Sequence, residues 1–496
     1  MEYEKAYSCI EKNEKKFAKS IDIEMDFSES IPAYCDDVFR IVKCNSHSFI
    51  NSVSISDNEI LIFGKTEIML TYYNENSCLC YADFDEEFQK NIPADNFTDY
   101  AFAKADISDK YTNFRIINQR RIDVHTSSVL SLTVYDKTKY PCLNACDNSK
   151  LNKQNIKSAD IIASNISKIE FDEEFSLPAD SQPVKRIISA DCSASLIETK
   201  IIKDKALVKV DAEVRLLYTV GDDSESIQSV SNSFNLSKII EQSSIEEGDI
   251  SICNVSVGTI YNKSKASSGD KLDTIEVFGE IEINTIFIRE TEKEYITDGY
   301  IPKRSSECSY SELKIISNGR EESENKVSQI PVELSDEIKG IKDVGVNLSS
   351  PVVRNRKLVS KADITIIYDS ENDSLKAMST SAEIEYDLKG FDNAVCAASL
   401  KSVDYTISGD KGVNLRLNTD MTGYFYNEES VQLLSDIIEG EEQKEVPSLT
   451  ICFAKQNDSV WNIAKSFSSD EEMIMKENNL QKDIIEKDSI LIIPRV

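Results

Sequence analysis

His47 and His125 are the only imidazoles in the 496 residues, and each has hydroxyls beside it. Ser46 and Ser48 flank the first; Thr126 and Ser127 follow the second. An imidazole next to a hydroxyl, oriented by a carboxylate, is the apparatus of acyl transfer. No GxSxG elbow accompanies either histidine, so hydrolysis is disfavoured. Paired carboxylates such as Asp222-Asp223 and Glu246-Glu247 sit among turn residues and read as solvated loops rather than acid–base pairs. The 12 cysteines include two close pairs, Cys78-x-Cys80 and Cys142-xxx-Cys146, but no CxxC, so neither a zinc ribbon nor a dithiol redox site is expected. With 15 glycines and neither GxGxxG nor GxxxxGK[ST], a phosphate-cradling loop has little to be built from. No catalytic residue, metal or cofactor is expected.

What remains is the single tryptophan, Trp461, and the elements that must position it. From Pro447 onward the chain reads as strand, helix, helix, strand. LTICFAK is the first strand. Asp458 reads as the cap of a helix whose Val460, Ile463, Ala464 and Phe467 share one face. Ser468-Ser469 and the acids Asp470, Glu471 and Glu472 open a second helix, with Met473, Ile474 and Leu480 as its apolar face and Asn478-Asn479 as its end. SILIIP (Ser489–Pro494) closes the tail as a strand.

Upstream the chain repeats itself. Leu61–Tyr72, Leu207–Tyr218 and Leu358–Tyr368 alternate apolar and polar residues and end on tyrosine, the period-two signature of a half-buried strand. Before each comes an apolar-Pro step (Ile31-Pro32, Leu177-Pro178, Ile330-Pro331) and then a short block, VFRI, VKRI or IKGI. After each comes a 14-residue alternating run: Ile122–Tyr135, Ile275–Ile288 and Val413–Tyr426. Four anchors in one order, three times, indicate a mainly β chain. It consists of three tandem sandwich-like domains followed by a small α/β module. The expected boundaries are 1–148, a linker at 149–165, 166–310, a linker at 311–326, 327–438, an acidic linker at 439–446, and 447–496. The first ~20 residues, mixed in charge, read as a short helix, and each domain is expected to have its own core.

The tail resembles a LysM module. That family's GDTLWxIA-like start, LxxxNxL helix end and GxxLxIP close have counterparts in NDSVWNIA, IMKENNL and DSILIIP. Asn457 and Asp488 replace the loop glycines of the pattern, which leaves the fold intact but weakens the case for glycan binding. The three repeats resemble SPOCS domains, and the whole arrangement resembles the SipL-type spore-coat morphogenetic proteins of endospore formers. That resemblance implies a structural role on the developing forespore, in the mother-cell cytoplasm. It also implies docking to a coat ATPase of the SpoIVA type through the LysM module. Residues expected to line the partner or glycan surface are Asn457, Asp458, Ser459, Val460, Trp461 and Ile463 on one side, with Leu480, Lys482, Asp483 and Ile484 on the other. Trp461 and Ile463 have a second reading as packing residues.

Charge sets the outer limits. With 56 basic and 87 acidic residues, the chain carries -31, which argues against nucleic acid and against anionic lipid. The tail has 6 basic and 8 acidic residues, so nearly all the acidity lies in the repeats and their connections. The N-terminus is charged and does not read as a secretory signal, and no apolar run is long enough to span a membrane. Three functions are left. One is a spore-envelope scaffold that docks protein, and another is a cell-wall protein that binds peptidoglycan or a chitin-type glycan. The third, an enzyme hosted in a repeat, is disfavoured by the scarcity of His and Gly.

Overall fold

A computed structural model describes residues 4–494 other than 57–58, 95, 178–183, 221–225, 267–271, 372–374 and 443–448. Pro178, the Asp222-Asp223 pair, Pro447 and residues 443–446 of the expected acidic linker therefore lie outside the described residues; the linker's first half, 439–442, is strand. The chain is mainly β, as its alternation predicts. Its first third forms β1 (Lys5–Ser30), β2 (Arg40–Ile55), β3 (Glu59–Tyr73), β4 (Leu79–Pro93), β5 (Phe102–Asn118) and β6 (Arg121–Cys146). Two antiparallel three-stranded sheets result, in the orders β1-β6-β5 and β2-β3-β4.

The same plan recurs. β7 (Lys150–Ser176), β8 (Val184–Ile202), β9 (Lys205–Val220), β10 (Ser226–Glu241), β11 (Ile250–Ala266) and β12 (Leu272–Tyr300) make the second copy. The third comprises β13 (Arg304–Glu333), β14 (Ile338–Leu348), the short β15 (Val352–Arg354), β16 (Lys357–Ser370), β17 (Leu375–Asp387), β18 (Asn393–Ser408) and β19 (Gly412–Glu442). In each copy the first and last strands pair, and the tyrosine-ended run is the middle strand of the other sheet. The agreement extends to single residues. Ile41, Ile187 and Ile341, which end the short blocks, face Tyr72, Tyr218 and Tyr368 across the sheet. A bulge follows each isoleucine, between Ile41/Lys43, Ile187/Ser189 and Ile341/Asp343. All three tyrosines are buried. The Tyr72 hydroxyl donates to the Asp36 carbonyl at 2.8 Å, and that of Tyr368 meets Ser335 Oγ at 3.1 Å. Cross-strand packing, with the polar tip satisfied, accounts for the tyrosine in each copy.

Two expectations fail, for one reason. The polar stretches 149–165 and 311–326 are not linkers: they are parts of β7 and β13, and only short turns near 147–149 and 301–303 join the copies. The first ~20 residues are likewise strand β1 rather than a helix. In every copy the first and last strands run beyond the sandwich as a two-stranded ribbon, such as Lys5–Lys15 on Tyr135–Cys146. A ribbon is covered on one side only, so it tolerates charge at every other position and reads as polar. The alternation Ile21, Ile23, Met25, Phe27 was the visible sign of β1.

Each sandwich has its own apolar core, and there are also shared ones. Leu143 and Cys146 of the first copy, Ile301 at the second junction, and Leu434 and Ile437 of the third pack together where the ribbons meet. A second shared cluster joins Tyr295, Leu313, Ile315 and Leu433, with Ile10 and Tyr140 against it. The array is thus three sandwiches fused through their longest strands. Beyond it, β20 (Leu449–Ala454), α1 (Val460–Phe467), α2 (Glu471–Glu477) and β21 (Ser489–Pro494) form the tail, with β20 and β21 antiparallel. Among the described residues, no helix is long and apolar enough to cross a membrane.

Candidate functional site

The two tail loops expected to form a surface are joined through their backbones. Val460 N–H donates to the Asp483 carbonyl at 2.7 Å, Asn457 N–H to Ile485 at 2.8 Å and Ile485 N–H to Asp458 at 2.9 Å; Ser459 and Ile484 form an antiparallel bridge. Asn457 takes the left-handed conformation, φ 73°, which asparagine adopts more readily than most residues. Asp488 accepts the Gln456 N–H at 2.8 Å and ties the start of β21 to the first loop. Asn457, Asp458, Lys482, Asp483 and Ile484 are exposed; Ser459 and Leu480 are half-buried. Val460 and Ile463 are not surface residues: with Ala464, Ile474, Ile485, Leu491 and Ile493 they form the tail's core. Asp458 is not the helix cap either. Ser459 Oγ accepts from Asn462 N–H at 3.1 Å, while Asp458 Oδ2 accepts from Lys455 N–H at 2.8 Å inside the loop. A carboxylate one residue too early caps its own turn rather than the helix. The second helix is capped by Asp470, whose Oδ1 accepts from Met473 N–H at 3.2 Å.

Trp461 points at the array. Its ring meets Tyr300 edge-on, with centroids 5.1 Å apart at 67°, and its indole N–H donates to Asp298 Oδ2 at 2.9 Å. Asp298 also accepts from Lys465 Nζ and, at 2.7 Å, from the Tyr310 hydroxyl. Burial by itself would raise this carboxyl, but the hydrogen bonds from Lys465, Trp461 and Tyr310 prevail and hold it below the usual carboxylate range. Around this centre, Lys303 N–H donates to the Ser468 carbonyl at 2.9 Å, Ser468 Oγ to the Arg304 carbonyl at 3.1 Å, and Lys150 pairs with Asp470 at 2.7 Å. The tail is seated on the ends of β7, β12 and β13, not merely tethered after β19.

A further surface was not anticipated from the sequence. On the outer face of the β20–β21 sheet, Ile451 stands opposite Ile492 and Phe453 opposite Ile490. Phe453 is 78% exposed, Ile490 61% and Ile451 57%. Read as a string, LTICFAK and SILIIP are simply apolar. Only the pairing register shows that Ala454, Leu491 and Ile493 point inward and that the other apolar set faces water.

Neither histidine is hydrogen-bonded to the serine or threonine beside it in the sequence. Ser48 Oγ bonds Thr66 and Ser128 hydroxyls, at 2.9 and 3.0 Å, and His47 Nδ1 lies 3.6 Å from Asp109. Burial would lower the His47 imidazole, but Asp109 outweighs it and raises the ring. At the surface, His125 sits between Asp26 and Tyr111. The 12 cysteines are unpaired. Cys80 receives a hydrogen bond from Arg186 at 3.0 Å, yet burial pushes its thiol up to about 12, opposite to what a reactive thiolate needs. Glu246-Glu247 lies in a turn closed by Glu246 N–H on Asp249, beside Arg289. Among the described residues, no group of three or more His, Cys, Asp or Glu side chains is placed to hold a metal ion.

No curated protein and no solved structure matches the chain. Residues 183–266 match the family described as SipL, SPOCS domain. The matched segment spans β8 to β11, including the central tyrosine-ended strand of the second copy. The second copy is therefore similar to a SPOCS domain, which points to a sporulation-related protein.

Proposed function

We propose that this chain is a non-enzymatic scaffold of endospore coat assembly, working in the mother-cell cytoplasm at the forespore surface. The three copies form its body as tandem SPOCS domains. The LysM-like tail docks a coat morphogenetic ATPase of the SpoIVA type. The observation that carries this reading is the exposed apolar face of the tail. Four aliphatic and aromatic side chains, Ile451, Phe453, Ile490 and Ile492, stand on one small sheet with water on them. Such a patch suits burial against protein, where aromatic and aliphatic anchors provide most of the affinity. A glycan reader would instead offer an aromatic platform and close backbone approach. Here the one tryptophan packs on Tyr300, and Asn457 and Asp488 stand where the LysM pattern has glycine.

The test is a pair of pull-downs with the full-length chain, one on purified peptidoglycan and one on a purified SpoIVA-type ATPase. Retention by the ATPase and not by peptidoglycan is expected. The reverse pattern would make the chain a cell-wall binder.

A further inference from the structure

The contact between the tail and the array has the form of a ligand in a site. One carboxylate, Asp298, takes three donors, two of them from α1. Two residues later in the same strand end, Tyr300 is 1% exposed and lies among the tail's buried residues, its ring against Trp461. Next along the chain, the Lys303 N–H and the Arg304 carbonyl are both engaged by Ser468. The tail meanwhile has a core of its own in Val460, Ile463, Ala464, Ile474, Ile485, Leu491 and Ile493, so Tyr300 adds to that core from outside. Asp298 and Lys465 both keep some exposure, 21% and 32%, so solvent and competing groups reach the pair.

We propose that the α1 face bearing Trp461, Lys465 and Ser468 is a binding surface for an extended peptide with a carboxylate two residues before an aromatic ring. The chain's own Asp298-Gly299-Tyr300 fills that surface until such a partner displaces it. The chemistry on each side is complementary. An indole N–H and an ammonium receive the carboxylate, the indole meets the aromatic ring edge-on, and Ser468 after the last turn of α1 receives backbone groups. Between acid and ring the native occupant has glycine. A Cβ there would come within 2.8 Å of Leu434 and 3.0 Å of Leu151, contacts made to the array and not to the tail, so a partner is free to carry another residue at that position. The inference rests on the reading of the tail as a docking module, but the seat itself is measured without any coat protein, so the two stand or fall separately.

Trp461 is the only tryptophan, so its fluorescence reports the seat directly in the full-length chain. Asp298→Ala is expected to shift its emission to the red and to raise acrylamide quenching about twofold, with unchanged far-ultraviolet circular dichroism. A synthetic peptide of residues 293–303 should then restore shielding in the variant and leave the native chain unaffected, and the same peptide with Asn in place of the acid should do neither. Should Asp298→Ala disturb folding, Lys465→Ala removes the second donor from the tail side and is expected to give the same red shift. Unchanged Trp461 shielding in folded variants would overturn the inference. So would an exposed Trp461 that fails to respond to the peptide.

Discussion

Glu282 on β12 is a carboxyl the fold holds well above its ordinary range. It is buried, its Oε1 has no hydrogen-bond partner, and burial pushes its carboxyl up to about 7. The groups that act on it are His47 and Lys168, which favour its charge, and Glu280 and Glu67, which oppose it. A carboxyl raised in the folded state binds its proton more tightly there than in the unfolded chain. Its ionisation therefore costs stability as pH rises from the ordinary carboxylate range to about 7, and the cost is constant above that. Glu282→Gln, neutral at every pH, should raise the melting temperature at pH 8 and change it little at pH 5. Equal shifts at both pH values would remove Glu282 from the account of stability. Asp298 has the opposite sign. Its lowered carboxyl holds the tail at neutral pH and should let go as pH falls below the usual carboxylate range, seen as a red shift of Trp461 emission in the native chain. Neither residue was legible in the sequence: Glu282 owes its state first to burial in the folded chain, and Asp298 to donors on α1, more than 100 residues further on.

At the scale of elements, legibility followed burial. β3, β9 and β16, and the proximal parts of β6, β12 and β19, are covered on a face by their own sandwich and show period-two alternation. Their tyrosines and pairing blocks could be read directly. The ribbons are different. Lys150–Asp160 and Arg304–Ser317 pair with distant strands and carry charge on the outward side, so local composition resembles a linker. Helix boundaries in the tail depended on a single side-chain hydrogen bond: the sequence reading gave the cap to Asp458, and its neighbour Ser459 makes the bond. The choice is testable. Ser459→Ala should destabilise the tail by about 1 kcal/mol through loss of the bond to Asn462, the usual cost of an N-cap. Asp458→Ala should cost less, since its partner Lys455 lies in an exposed loop. Hydrogen exchange of the α1 amides reports both, and a larger effect for Asp458 would restore it as the cap.

The whole molecule is held by cores that no single copy owns. Leu434 from the third copy packs with Leu143 and Cys146 from the first and Ile301 at the second junction, so a cavity there is felt by all three. Leu434→Ala should cost about 2–5 kcal/mol and lower the melting of the array as one transition. A calorimetric trace in which only the third copy moves would show the copies to be independent. In the proposed scaffold, this fused, acidic body spaces a docking surface from whatever the repeats engage, and the nearly charge-balanced tail carries the contact. The most direct test of that division of labour is the affinity of the full-length chain for a purified SpoIVA-type ATPase. It should be measured by titration calorimetry with the native sequence and with Phe453→Asp and Ile490→Asp combined. Saturable binding that weakens at least about tenfold in the folded double variant is the predicted result. Undiminished affinity in that variant, or binding to peptidoglycan with none to the ATPase, would contradict it.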